Sequence, residues 1–125
     1  MLKLNDDKTE YIVIGSRHML RHVPQCLLSI RVGDKTIVAT PAARNIGVMV
    51  DSALTMEQQV TSVCRACYAG LRDVARIRNY LTEDSTKKLI LAFVISKLDC
   101  NKALLYKVSK FLQEKLQIVQ NNAAR

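Results

Sequence analysis

The sequence predicts an α+β fold: a small antiparallel sheet or hairpin followed by a three-helix bundle. Three observations predict it. Residues 1–54 hold short apolar runs bounded by turn residues, the pattern of strands. From residue 55 the apolar residues recur every three or four positions, the pattern of amphipathic helices. No repeat, low-complexity tract or Pro/Gly linker intervenes, and strands followed by helices is an α+β order. The 125 residues are therefore read as a β subdomain, 1–54, and a helical subdomain, 55–125.

The elements follow in order. Asn5, Asp6 and Asp7 form a turn-rich stretch ahead of a strand at 10–15. Residues 18–26 read as a short helix or a loop, broken at Pro24. Strands at 27–32 and 36–39 flank a Gly-containing loop, a hairpin signal, and Pro41 ends the second. A fourth strand at 46–50 contains Gly47, which predicts a close backbone approach or a bulge. Thr55 and Gln58 have the spacing of a capping box. The stripe Val60, Val63, Cys64, Cys67, Leu71, Val74 and Leu81 then marks one helix face. Thr82 caps the next helix, with Glu83 and Asp84 well placed in its first turn. The segment 89–96, LILAFVIS, is apolar nearly all round, so its helix should be the most buried. Ser109 caps a last helix with the stripe Leu112, Leu116, Val119 and Ala123.

A net charge of +8 points to a polyanionic partner, nucleic acid first. Residues 1–54 carry 7 basic and 5 acidic side chains, residues 55–125 carry 12 and 6, so the helical half holds most of the field. The first apolar run is four residues long and follows acidic residues, so no signal peptide is expected. No run approaches ~18 apolar residues, so no membrane span is expected. Four scattered cysteines fit a reducing, intracellular setting, nuclear or cytoplasmic.

Among the charges, Arg65, Arg72 and Arg76 are the most informative. At 100° per residue they fall within roughly 40° of one line and span about 16 Å along a helix. Guanidinium groups bind phosphates bidentately, so the row can track a nucleic-acid backbone. The alternative is an ordinary solvated face. Cys64 and Cys67 have the spacing of half a zinc site, but they lie on the apolar stripe and read as core. His18, His22 and Cys26 are spaced at four, a metal-ligating pattern that Pro24 interrupts. Asp6 and Asp7 are adjacent in a turn-rich stretch and read as a turn, not as a magnesium pair. No phosphate loop, nucleophile elbow or zinc-protease signature occurs, so no catalytic residue, metal or cofactor is expected.

Four stretches, taken together, resemble one family. They are LKLNDDKTEYIVIGSR, ARNIGVMVDSALTMEQQVTSVCRACYAGLRDVARIRNYLT, LILAFVISKLDCNKALLY and KLQIVQNNAAR. In that order they are similar to the reverse transcriptases of non-LTR retrotransposons, of the jockey and chicken-repeat kind. The resemblance implies the tail of a larger enzyme: the end of the polymerase palm, then the thumb that holds the template–primer duplex. It implies that Lys8 belongs to the lysine-bearing palm loop. It implies that Asn45, Ile46, Gly47 and Val48 correspond to the primer-grip hairpin. The family's Tyr/Phe-x-Asp-Asp turn is missing, so the chain is expected not to polymerise alone. It would bind RNA/DNA duplex or single strand without sequence preference through Arg65, Arg72, Arg76, Lys87, Lys88 and Lys8. The family usually reads LDYCN.LLYG where this chain has LDCNKALLYK, with Lys107 in place of a helix-ending glycine. Two other readings stand beside this one. The first is a protein-interaction module using an exposed strand edge or the Leu112/Leu116/Val119 face. The second is a mobile-element relic without selected function.

Overall fold

Turn chemistry organises the first half of the chain. The computed structural model describes residues 8–100, 106 and 108–125, and the chain divides into two compact units, Met1–Thr55 and Met56–Arg125. The predicted Asp6–Asp7 turn and the Lys107 substitution lie outside the described residues. The first unit contains β1 (Tyr11–Ile12), α1 (Arg17–Arg21), β2 (Ser29–Val32), β3 (Lys35–Thr40), β4 (Ala42–Asn45) and β5 (Val48–Asp51). Gly33, at φ +60, supplies the left-handed first position of a two-residue turn, and β2 pairs antiparallel with β3 across it. β1 pairs with the other edge of β3, but in parallel, Tyr11 opposite Ala39. The wholly antiparallel sheet predicted above is therefore corrected. Two reversals of direction separate β1 from β3, so neighbouring them makes them parallel. The Thr40 hydroxyl ties this pair by donating to the Tyr11 carbonyl at 3.2 Å.

β1 is also shorter than the predicted 10–15 strand. The Gly15 N–H leaves the ladder for the Ser52 carbonyl at 3.0 Å, and the Ser16 hydroxyl caps α1 by accepting from the Met19 N–H at 3.2 Å. The ambiguous stretch 18–26 resolves into α1, Pro24 and a 3₁₀ turn at Gln25–Leu27. β4 and β5 form a separate hairpin, Asn45 opposite Val48. Ile46 and Gly47 make its two-residue turn with φ of +47 and +82, the signs a type I′ turn requires. Gly47 is thus a turn residue and not a strand interruption. A Cβ built there meets nothing within 4 Å, so glycine serves the backbone angle and not a close approach.

The second unit is helical. α2 (Glu57–Ile77) buries Val60, Cys67 and Val74, with Val63, Cys64 and Leu71 at the edges of the same stripe. Its predicted capping box does not form. The Thr55 N–H and hydroxyl both donate to the Asp51 carboxylate at 2.9 Å, which holds Thr55 in the preceding turn, one residue before the helix cap. Met56 occupies the N-cap instead, at φ +60. α3 (Glu83–Ile90) starts as predicted, with the Thr82 hydroxyl accepting from the Ser85 N–H at 3.3 Å. It continues through a π-helical segment, Leu91–Ile95, into α4 (Ser96–Asp99). α5 (Lys110–Ala123) has Ser109 at its N-cap, though without a side-chain capping bond. Cys67, Val94, Val119 and Ala123 form the core of the unit.

Two expectations about this half are overturned. Segment 89–96 is not the most buried helix: Val94 is fully buried, but Leu91 is 57% and Phe93 48% exposed. An all-apolar helix is buried all round only if neighbours cover every side; the described residues cover one side of this one. α2 is the central helix. The Leu112/Leu116/Val119 face is not a free binding face either. Leu112 and Val119 are buried and Leu116 is half-buried, because α5 lays this stripe against α2.

Candidate nucleic-acid interface

The buried stripe of α2 dictates where its charges go. Arg65, Arg72 and Arg76 lie on the opposite side and are all exposed. Among the described residues no acid pairs with Arg65 or Arg72. Arg76 approaches the Asp73 carboxylate at 3.8 Å, with both side chains about three-quarters exposed, so the pair binds weakly and yields readily to a phosphate. Tyr68 stands between Arg65 and Arg72 on the same flank, one turn from each. Its hydroxyl accepts from the Asn122 amide of α5 at 3.1 Å. The sequence reading passed over Tyr68, although the helical spacing that found the arginines also reaches it.

The other predicted contacts are dispersed. Lys87 pairs with Glu83 at 2.7 Å and Lys88 with Asp84 at 2.6 Å, each one turn apart on α3. The acids favour the helix N-terminus, and the lysines four residues on then meet them, so this corner of α3 is nearly neutral. Lys8 is exposed, in the first unit. Asn45, Ile46, Gly47 and Val48 form the tip of the β4–β5 hairpin, where Ile46 is 96% exposed in a left-handed conformation that branched side chains disfavour. β2 is an outer strand of the three-stranded sheet, so its far edge remains a candidate strand-pairing surface.

Of the cysteines, Cys64 and Cys67 sit on the packed face of α2, while Cys26 and Cys100 are exposed. Cys67 is fully buried and its thiol donates to the Val94 carbonyl at 3.7 Å. Burial pushes both the Cys64 and Cys67 thiols up; the Lys115 ammonium pulls Cys64 part of the way back. Neither thiol is therefore poised as a thiolate ligand. The His18 ring on α1 and the His22 ring at its C-cap have centroids 5.0 Å apart and are tilted by 50°, but among the described residues no three potential metal ligands converge. An open groove of about 1120 Å³ runs between α2, α3 and the end of α5. Its floor is apolar, including Leu71, Val74 and Ile90, and its rim carries Arg78, Lys87 and Arg125. Within the described residues no helix is long and apolar enough to cross a membrane. Comparison with family models, curated proteins and solved structures finds no match to this chain.

Proposed function

We propose that this chain is the palm-end and thumb portion of a reverse transcriptase of the non-LTR retrotransposon kind. Its own activity is binding nucleic acid without sequence preference. The observation that carries the reading is the arginine row: Arg65 and Arg72 are exposed, without an acidic partner among the described residues, opposite the buried face of the central helix. Phosphate binding needs cations in open solvent, pre-positioned and not neutralised, because the gain comes from displacing condensed counterions. Lys87 and Lys88 contribute less while paired. On this reading Lys8 and the hairpin tip at Asn45–Val48 are contacts made by the first unit on its own account. The second reading, an interaction module, is favoured among the described residues by exposed Leu91 and Phe93 and by β2 at the edge of its sheet.

Duplex binding followed by fluorescence anisotropy across a salt series tests the proposal. In the triple variant Arg65→Ala, Arg72→Ala, Arg76→Ala, the slope of log affinity against log salt should fall by roughly 2 to 3, one counterion for each lost phosphate contact. Circular dichroism should be unchanged, since exposed arginines on a helix add little to stability. An unchanged slope in a folded variant reduces the row to a solvated face. A primed RNA template with deoxynucleotides and magnesium or manganese should show no extension, because phosphoryl transfer of this kind needs carboxylates holding two metal ions. Metal-dependent extension above a no-protein control would refute that part of the reading.

A further inference from the structure

We infer that the arginine row is one wall of a platform for single-stranded nucleic acid, with Tyr68 of α2 and Phe111 of α5 as its base-stacking surfaces. The inference rests on the nucleic-acid reading above and adds the class of strand and the residues that would hold its bases. The Asn122–Tyr68 hydrogen bond aligns the two helices along one seam. On α5, Phe111, Lys115, Ile118 and Asn122 follow one another at helical spacing, in the row beside the buried stripe. That row therefore borders the flank of α2 that carries Arg65 and Tyr68, with Asn122 level with Tyr68 and Phe111 eleven residues, about 16 Å, back along α5. Lys115 is placed at the seam as well, since its charge acts on the Cys64 thiol of α2.

The chemistry of the seam is cationic and aromatic in alternation. Lys115 holds its ammonium 4.5 Å from the centroid of the Phe111 ring, covering one face. Phe111 nevertheless remains 60% exposed, and Ile118, two turns on along the same row, 54%. A flat, apolar nucleobase stacks on the exposed Phe111 ring, while the strand's phosphates are drawn to Lys115 and, farther along, to Arg65 and Arg72. A paired duplex hides its base faces, whereas a single strand offers them, and stacking on aromatic side chains is tolerant of sequence. A protein partner fits less well, because three cations along the seam would have to be desolvated in its interface.

The chain has no tryptophan, so Phe111→Trp installs a single reporter at the proposed stacking position. Titration with an unlabelled thymidine oligomer should quench its emission over the range in which anisotropy shows binding. An abasic strand of equal length should bind by its phosphates and leave the emission unchanged. Phe111→Ala should weaken binding of the thymidine oligomer by about 5- to 150-fold, the effect of losing one stacked base, with the abasic strand and the salt slope unaffected. Tyr68→Phe, which keeps the ring, should bind within about twofold of wild type, and Tyr68→Ala should not. If the oligomer binds with the expected salt slope but neither the emission nor the Phe111→Ala affinity changes, this inference is overturned and the phosphate-binding reading stands. If neither single strand nor duplex binds, both are overturned.

Discussion

Val94→Asp should abolish the cooperative unfolding transition of the helical unit, while Phe93→Asp, one position away, should leave it intact. Val94 is fully buried among Cys67, Val119 and Ala123, a cluster of apolar side chains. A carboxylate there loses its water without gaining a partner, which costs about 4 kcal/mol or more even if it protonates. A unit of this size is expected to be stable by only about 4 to 10 kcal/mol, so the substitution removes most of its margin. Phe93 is different because half of its surface already faces water. An aspartate there can turn outward, and the loss is the partial burial of the ring, about 1 to 2 kcal/mol. Urea unfolding followed at 222 nm separates the two. Val94→Asp should be unfolded or show a midpoint far below wild type, and Phe93→Asp a modest shift. Equal midpoints would mean that the π-helical segment packs on a different face.

The difference between these two neighbours marks what local pattern can and cannot reveal. Spacing along one helix is a local property, so the stripe of α2, the Thr82 cap and the arginine row were all legible. Burial of an all-apolar segment depends on how many other elements reach it, and the residues at 89–96 do not encode that. The pairing of β1 with β3 joins Tyr11 to Ala39, a contact no local window contains. β4 was missed because Ala42, Ala43, Arg44 and Asn45 have weak strand preference; their pairing with β5 makes them a strand. Thr55 has the residue type and spacing of a cap, yet it is bonded back to Asp51 four residues earlier and the helix begins one residue later, with Met56 at the N-cap. For the site, the spacing of Glu83 to Lys87 and Asp84 to Lys88 already foretold the ion pairs that mask those lysines. The seam with Phe111 and Lys115 was not legible in the same way, since it exists only once α5 lies beside α2.

Gly70→Leu should destabilise the helical unit about as strongly as the core permits, by about 3 kcal/mol or more, whereas Gly70→Ala should be close to neutral. Glycine in the interior of a long helix is itself unfavourable by about 1 kcal/mol relative to alanine, so its place in the middle of α2 calls for a packing reason. That reason is the close approach of the π-helical segment. A Cβ at position 70 would lie 3.2 Å from the Phe93 Cβ and 3.5 Å from the Phe93 carbonyl oxygen. For alanine, a displacement of a few tenths of an ångström sets a small strain against the gain in helix propensity, and the two nearly cancel. Leucine has no such escape. Its outer carbons enter the space that Phe93 and its backbone occupy, and relief requires moving the segment off α2. Moving it separates Val94 from Cys67, breaking the thiol contact to the Val94 carbonyl and opening the core at its most buried point. Urea midpoints of the two variants are the measurement. A Gly70→Leu midpoint equal to wild type would show that the segment is not held against α2. Because the nearest obstacle is the Phe93 Cβ, which only glycine lacks, adding Phe93→Gly to Gly70→Leu should recover part of the loss. The double variant should then be more stable than the sum of the single effects, the non-additivity expected of two side chains competing for one space.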